Sequence, residues 1–386
     1  MKKAIAIIPL FCLTVVIVLS FSQRPHPVPN QSIIHRKGNK LVKGQNEEVL
    51  LQGISFGNEV WTNKTIPLTH HSEADFKRVA DMGMNVIRFY LNYKTFEDDD
   101  KPYIYKNSGW EWIDQNIAWA KKYKVYLILN IHVPPGGFQS NGGGGALWEN
   151  GDNQKRLKAL WHAIAKKYAA EPLIAGYDLL NEPVVTQGIS QWQQLAQELA
   201  DTIRRVDKNH LLIVERLNAV NKNWNNVNED NNFFLIRDDN TMYTFHFYLP
   251  FKYTHQYASW AYMGEGGKYP DESVQEGAGY TRNKAYLEKE LDRYLAFGRK
   301  NNVPLYLGEF GLIYHCFKEG KGGLEWTADM LDILQRNKVH YTYHVYHEDN
   351  FGLYHGYGKL VDTTRANHRL IELFRKKLKM NKDFIE

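Results

Sequence analysis

A closed (β/α)₈ barrel, an α/β TIM barrel, is the fold class predicted from this sequence, and three observations predict it. Eight apolar strand-like runs recur along the chain, helical periodicities separate them, and no second linker interrupts the series after about residue 40. The strand-like runs cover 49–56, 85–91, 125–132, 174–180, 211–214, 241–248, 305–310 and 340–346. Apolar residues at helical spacing predict helices over 72–82, 110–122, 154–168, 190–206, 282–300, 325–337 and 365–378. No helix is evident in the Asn-rich stretch 218–232, where a short helix or a loop is expected. An open doubly wound sheet would alternate in the same way, and the count of eight favours the closed barrel.

The chain has 386 residues, within the reach of one barrel. Its 10 Trp, 24 Tyr and 18 Phe exceed what a core of this size needs, and aromatic rings are natural surfaces for the faces of sugars. A formal charge of +5 is too small and too diffuse to indicate nucleic acid. Met1-Lys2-Lys3 followed by an apolar run over 4–19 has the pattern of a secretory signal peptide, with cleavage expected after Ser22 and an uncleaved membrane anchor as the alternative. Cleavage would remove Lys2, Lys3 and Cys12. Cys316 would then be the only cysteine, so export would bring no intramolecular disulfide. The expected organisation is a signal over 1–22, a Pro-, Ser- and His-rich linker or extension over 23–40, and one unit over 41–386. A secreted or cell-surface monomer is expected, touching a membrane only if the N-terminal segment stays uncleaved.

In such a barrel the chemistry gathers where strands end and loops begin. The polar residues that end the apolar runs are Arg88, His132, Asn181, Glu182, His246, Tyr248 and Glu309. Charged or imidazole groups there are costly in a dry core unless something pairs or uses them. Glu182 and Glu309 close the fourth and seventh runs, so a barrel places them across the mouth from each other. Two facing carboxylates are what glycoside hydrolysis requires, one to protonate the leaving oxygen and one to attack or stabilise the anomeric carbon. Asn181-Glu-Pro183 alone would be weak, because a carboxylate there can cap a helix or pair with an arginine. The second strand-end glutamate makes the case.

With these motifs in this order, the chain resembles glycoside hydrolase family 5, the cellulase family of retaining glycosidases, over about 49–378. The resemblance implies Glu182 of Asn-Glu-Pro as acid/base and Glu309 of Gly-Glu-Phe-Gly as nucleophile. It maps the family arginine to Arg88, the strand-three histidine to His132 and the His-x-Tyr of strand six to His246 and Tyr248. Arg88 and Tyr248 are suited to keep Glu309 ionised, and His246 to tune the proton on Glu182. Asn181 is expected to bond the sugar 2-hydroxyl, while His132 is left between contacting that sugar and holding Arg88. A separation of about 5 Å is expected between the two glutamates, which implies retention. One departure stands out: His344 aligns with a tryptophan that many members place under the sugar, with Tyr343 or Tyr346 as the alternative register.

The loop 133–148 is long and glycine-rich, and Gly142–Gly145 suggests mobility, since the Lys and Ser/Thr of a phosphate loop are missing. Trp148 at its end either lines a subsite or packs the loop down. Trp61, Trp224 and Trp260 fall in strand-following loops as candidate sugar platforms, whereas Trp119, Trp161 and Trp326 fall in helices. No cofactor and no metal is expected: there is no His-Glu-x-x-His, and His340, His344 and His347 do not share one side of a strand. A calcium at Asp98–Asp100 competes with an exposed charge run. The expected partner is a β-linked polysaccharide or oligosaccharide, first a β-1,4-glucan, with β-mannan, xyloglucan and β-1,3-glucan open and endo versus exo action undecided. A noncatalytic carbohydrate-binding barrel is the non-enzyme alternative.

Overall fold

Every residue of the segment Val86-Ile-Arg-Phe-Tyr-Leu-Asn92 is buried, including its arginine, and so is every residue of six of the seven other barrel strands. Strands covered on both faces are the mark of a parallel sheet wrapped by helices. The computed structural model describes residues 32–62, 66–221, 232–277 and 279–378. Eight strands close the barrel: β1 (Gln52–Phe56), β2 (Val86–Asn92), β3 (Tyr126–Val133), β4 (Ile174–Asp178), β5 (Leu211–Glu215), β6 (Thr241–His246), β7 (Leu305–Phe310) and β8 (His340–Tyr343). Each pairs in parallel with its chain neighbours, and β8 returns to β1. The predicted (β/α)₈ class is therefore the observed one.

Seven long helices follow the expected order: α1 (Glu73–Asp81), α2 (Asn107–Tyr123), α3 (Gly151–Tyr168), α4 (Ile189–Arg204), α5 (Lys284–Asn301), α6 (Gly323–Arg336) and α7 (His368–Leu378). In α4 the buried residues Trp192, Leu195, Ala196, Leu199, Ala200 and Ile203 recur at helical spacing and form one apolar stripe against the barrel. Trp161 and Trp326 are fully buried and Trp119 packs against the same core, as their helical positions predict. Among the described residues no helix is long and apolar enough to cross a membrane.

The barrel floor is plugged by a feature the sequence reading assigned partly to a linker. His35–Lys37, Lys40–Lys43 and Glu47–Val49 form a three-stranded antiparallel sheet. Ile34, Leu41, Val49 and Leu51 pack with Val86, Ile128, Leu211, Ile213 and Met242 from the barrel strands. The ordered fold thus begins before residue 41, because these apolar residues close one end of the barrel. The expected export signal 1–22, residues 23–31 and Trp224 lie outside the described residues. Between β5 and β6, Ala219–Val220 pairs with Val184–Val185, and between β6 and α5 an antiparallel ribbon joins Asp271–Gly277 to Tyr280–Arg282. Asp98 and Asp99 are engaged by Lys106 and Arg156. Cys316 is buried, its thiol donating to the Tyr253 carbonyl at 3.1 Å.

Candidate active site

Side chains alternate along a strand, so Arg88 and Tyr90 of β2 point to the same side. Both are fully buried and both reach Glu309 at the end of β7. Arg88 donates from Nη1 to Glu309 Oε1 at 2.6 Å, and Tyr90 donates to the same oxygen at 2.7 Å. Tyr248, just past β6, donates to the other oxygen at 2.8 Å. Arg88 is itself fixed on two further sides, by Asp178 Oδ2 at 2.8 Å and by Asn181 Oδ1 at 2.9 Å. Burial works against ionisation of Glu309, yet the neighbouring His246, His344 and Arg88 outweigh it and hold its carboxyl well below the usual range. A carboxylate kept ionised and accepting three donors is oriented as a nucleophile.

Glu182 is held differently. It follows β4 by four residues, with φ +42°, a left-handed conformation uncommon for a residue with a β-carbon. His246 donates from Nδ1 to Glu182 Oε1 at 2.8 Å. Burial favours neutral His246, but the carboxylates of Glu215, Glu309 and Glu182 overcome this and raise its pKa to about 9. Gly308 makes room for that ring: a β-carbon there would lie 3.1 Å from His246 Nε2. An oxygen of Glu182, an oxygen of Glu309 and a nitrogen of His246 all fall within 4.8 Å of one another. Three such groups can hold a cation, but Nδ1 of His246 already donates to Glu182, so the cluster reads as a proton-transfer group.

The remaining sequence candidates divide. Asn181 lies at the mouth, its amide oriented by Arg88 and by donation to Ser140 Oγ at 3.0 Å. His132 does not bond Arg88; it stacks on Tyr90 at 3.9 Å between centroids, its Nδ1 meeting Asn130 at 3.0 Å, and burial holds its pKa well below the usual value. His344 occupies the mouth, with Nδ1 3.1 Å from the Tyr90 hydroxyl and 3.7 Å from Glu309 Oε2. Tyr343 and Tyr346 are fully buried, Tyr346 bonding Asp75 at 2.7 Å, so neither can serve as a platform. Trp260 is 53% exposed and touches Phe351, which in turn packs against His344 and Tyr248. Trp61, in a turn after β1, is 36% exposed.

Trp148 is a correction as a substrate residue. It is 7% exposed, packs edge-on to Trp192, and donates from Nε1 to Gln139 Oε1 at 2.9 Å. The same Gln139 donates to the carbonyls of Gly137 and Gly144. The glycine-rich loop expected to be mobile is therefore folded around a buried glutamine, and its small residues permit that close approach. Sequence reading also passed over Tyr90, Asp178 and Glu215. Period-two alternation from Arg88 points to Tyr90, and ending the fifth run one residue later reaches Glu215.

Comparison with known proteins gives an independent view of this geometry. Residues 42–350 match the family model described as cellulase (glycosyl hydrolase family 5). Endoglucanase C of Acetivibrio thermocellus is 30% identical over 318 residues, spanning 78% of this chain and 90% of that protein. Cellodextrinase A of Ruminococcus flavefaciens is 27% identical over 62% of this chain and 68% of its own length. Among solved structures, Thermotoga maritima Cel5A in complex with cellobiose has a TM-score of 0.67 at 23% identity, covering 84% of this chain and 97% of that one. The same enzyme with mannotriose has a TM-score of 0.66 at 22% identity over the same shares of the two chains. These two likenesses speak for the fold.

Proposed function

The chain belongs to glycosyl hydrolase family 5 and is a glycoside hydrolase, and from that premise we propose that it cleaves β-1,4-linked glucan by double displacement. The observation that carries the mechanism is the placing of a Glu182 oxygen and a Glu309 oxygen within 4.8 Å of each other. Retaining glycosidases separate their carboxyl groups by about 5 Å, whereas inverting enzymes need roughly 6.5–9.5 Å to admit a water between sugar and base.

Glu309, ionised and fixed by Arg88, Tyr90 and Tyr248, attacks the anomeric carbon. Glu182 gives its proton to the departing glycosidic oxygen. The ester that forms removes the negative charge of Glu309, and Glu182, now a carboxylate, takes a proton from a water that attacks the anomeric carbon from the side the leaving group vacated, breaking the ester bond and restoring the Glu309 carboxylate. Asn181, held at the mouth by Arg88 and Ser140, is placed to bond the sugar 2-hydroxyl, and Trp260 and Trp61 extend the mouth with exposed aromatic faces. We further propose an exported protein whose segment 1–22 is an export signal.

Support for glucan comes from relatives named endoglucanase and cellodextrinase. β-Mannan is the second reading: His344 replaces a broad aromatic floor with a smaller polar ring, and the structurally similar Cel5A is described with mannotriose as well as cellobiose. Reducing-sugar release from soluble β-1,4-glucan, mixed-linkage glucan, mannan and xyloglucan tests the assignment. Fastest release from β-1,4-glucan, lost in Glu309→Ala, is expected; fastest release from mannan would transfer the substrate to the second reading.

A further inference from the structure

Glu215, the last residue of β5, is a carboxylate that the two-glutamate chemistry leaves without a role. Its side chain is 2% exposed. Oε2 accepts the backbone N–H of Glu182 at 2.8 Å. Oε1 lies 3.6 Å from Nδ1 of His246, the same nitrogen that donates to Glu182 Oε1. One buried carboxylate thus touches both the main chain of Glu182 and the imidazole that faces its side chain.

A buried carboxylate is costly to desolvate unless donors offset the cost, and the two oxygens of Glu215 meet the Glu182 N–H and the His246 imidazole. Glu215 is itself anchored, because its carbonyl accepts the Trp192 indole N–H at 2.7 Å from α4. The main-chain contact falls where it has most to hold: Glu182 has φ +42°, and its neighbour Asn181 is tied by its own N–H to the Ile131 carbonyl at 3.0 Å. The charged groups facing Glu215 are His246 from β6, Glu182 beyond β4, Asp178 from β4 and Arg88 from β2. Burial, with Glu182 and Asp178 adding to it against His246 and Arg88, raises the Glu215 pKa to about 8.

We propose that Glu215 is a positioning residue for the acid/base: one oxygen fixes the left-handed main chain of Glu182, and the other orients the His246 imidazole toward the Glu182 carboxyl. This rests on the reading of Glu182 as acid/base. Proton delivery then depends on Glu215 without Glu215 touching the substrate. A purely structural carboxylate would affect all substrates alike, whereas a group that aims the acid matters only where the leaving group needs a proton.

The test compares kcat/KM, which reports glycosylation, for dinitrophenyl and phenyl β-cellobiosides. In Glu215→Ala, about a 100-fold loss is expected on the phenyl glycoside, with a loss below about threefold on the dinitrophenyl one. Equal losses on both overturn the proposal. If Glu215→Ala does not fold, Glu215→Gln carries the test, since it keeps an acceptor for the Glu182 N–H while removing the ionisable carboxyl. The His246 imidazole, followed by NMR, is expected to titrate about one unit lower in that variant; an unchanged titration overturns the proposal. Glu182→Ala separates the two levels. If it shows no leaving-group dependence, the acid/base reading itself has failed, and if it shows the dependence while the Glu215 variants do not, only the positioning role has failed.

Discussion

The two glutamates are chemically identical and are held in opposite ways. Glu309 sits on a barrel strand, takes hydrogen bonds from three rigid donors and is surrounded by positive groups. Glu182 sits beyond its strand, in a left-handed turn, with one hydrogen bond to its side chain and 17% of that side chain exposed. A nucleophile profits from a fixed lone pair and a stable charge. An acid/base has to exchange protons with a leaving group and then with water, so it needs access and a neighbour whose charge answers its own. The difference in environment supports the proposed roles where residue type cannot separate them.

The largest expected effect breaks the fixed side of this comparison. Glu309→Ala should lower kcat by about four orders of magnitude or more on every substrate, because it removes the carboxylate proposed to form the ester. Retained turnover on dinitrophenyl cellobioside would place the nucleophile elsewhere. Glu182→Ala should be smaller and selective: about 10²–10³-fold on polysaccharide, with glycosylation by dinitrophenyl glycosides nearly spared and deglycosylation slowed. A burst of dinitrophenol followed by a slow steady state is the trace to look for.

A third measurement sharpens the electrostatic half. Glu309 has a depressed pKa, so activity that needs its carboxylate is present above that pKa and is lost as pH falls through it. His344 is one of the groups that depress it, and His344→Ala should move the acid limb of kcat/KM upward by about half a unit. An acid limb that stays in place would remove His344 from the account of the charge. Smaller still, Trp260→Ala should raise KM on oligosaccharides several-fold with an unchanged Tm, while Trp148→Ala should leave KM alone and cost about 3 kcal/mol of stability. The reverse pattern would exchange platform and packing. Cys316→Ser should change neither activity nor mass under nonreducing conditions.

The barrel was legible because its strands are buried on both faces and its helices carry one apolar stripe, so periodicity alone separates the two. The site was legible where it uses strand ends and the turns beyond them, as at Glu182, His246, Tyr248 and Glu309, whereas Arg88 lies inside β2 and reaches Glu309 from there. What the sequence hid depends on which way a ring turns. Trp148 is an aromatic in an active-face loop by sequence, and its burial against Trp192 and its hydrogen bond to Gln139 show that it faces inward. The residues 35–49 sheet was hidden because three short strands with alternating charges resemble an extension until their apolar members are seen in the barrel floor. His132 could not be placed because its partner, Tyr90, lies on a neighbouring strand.

The central claim, direct attack by Glu309 with proton transfer by Glu182, is tested most directly by the anomeric configuration of the first-formed sugar, followed by NMR before mutarotation. A β-glycan substrate should yield initial β product, because two displacements at one carbon restore the configuration. Initial α product would contradict the account.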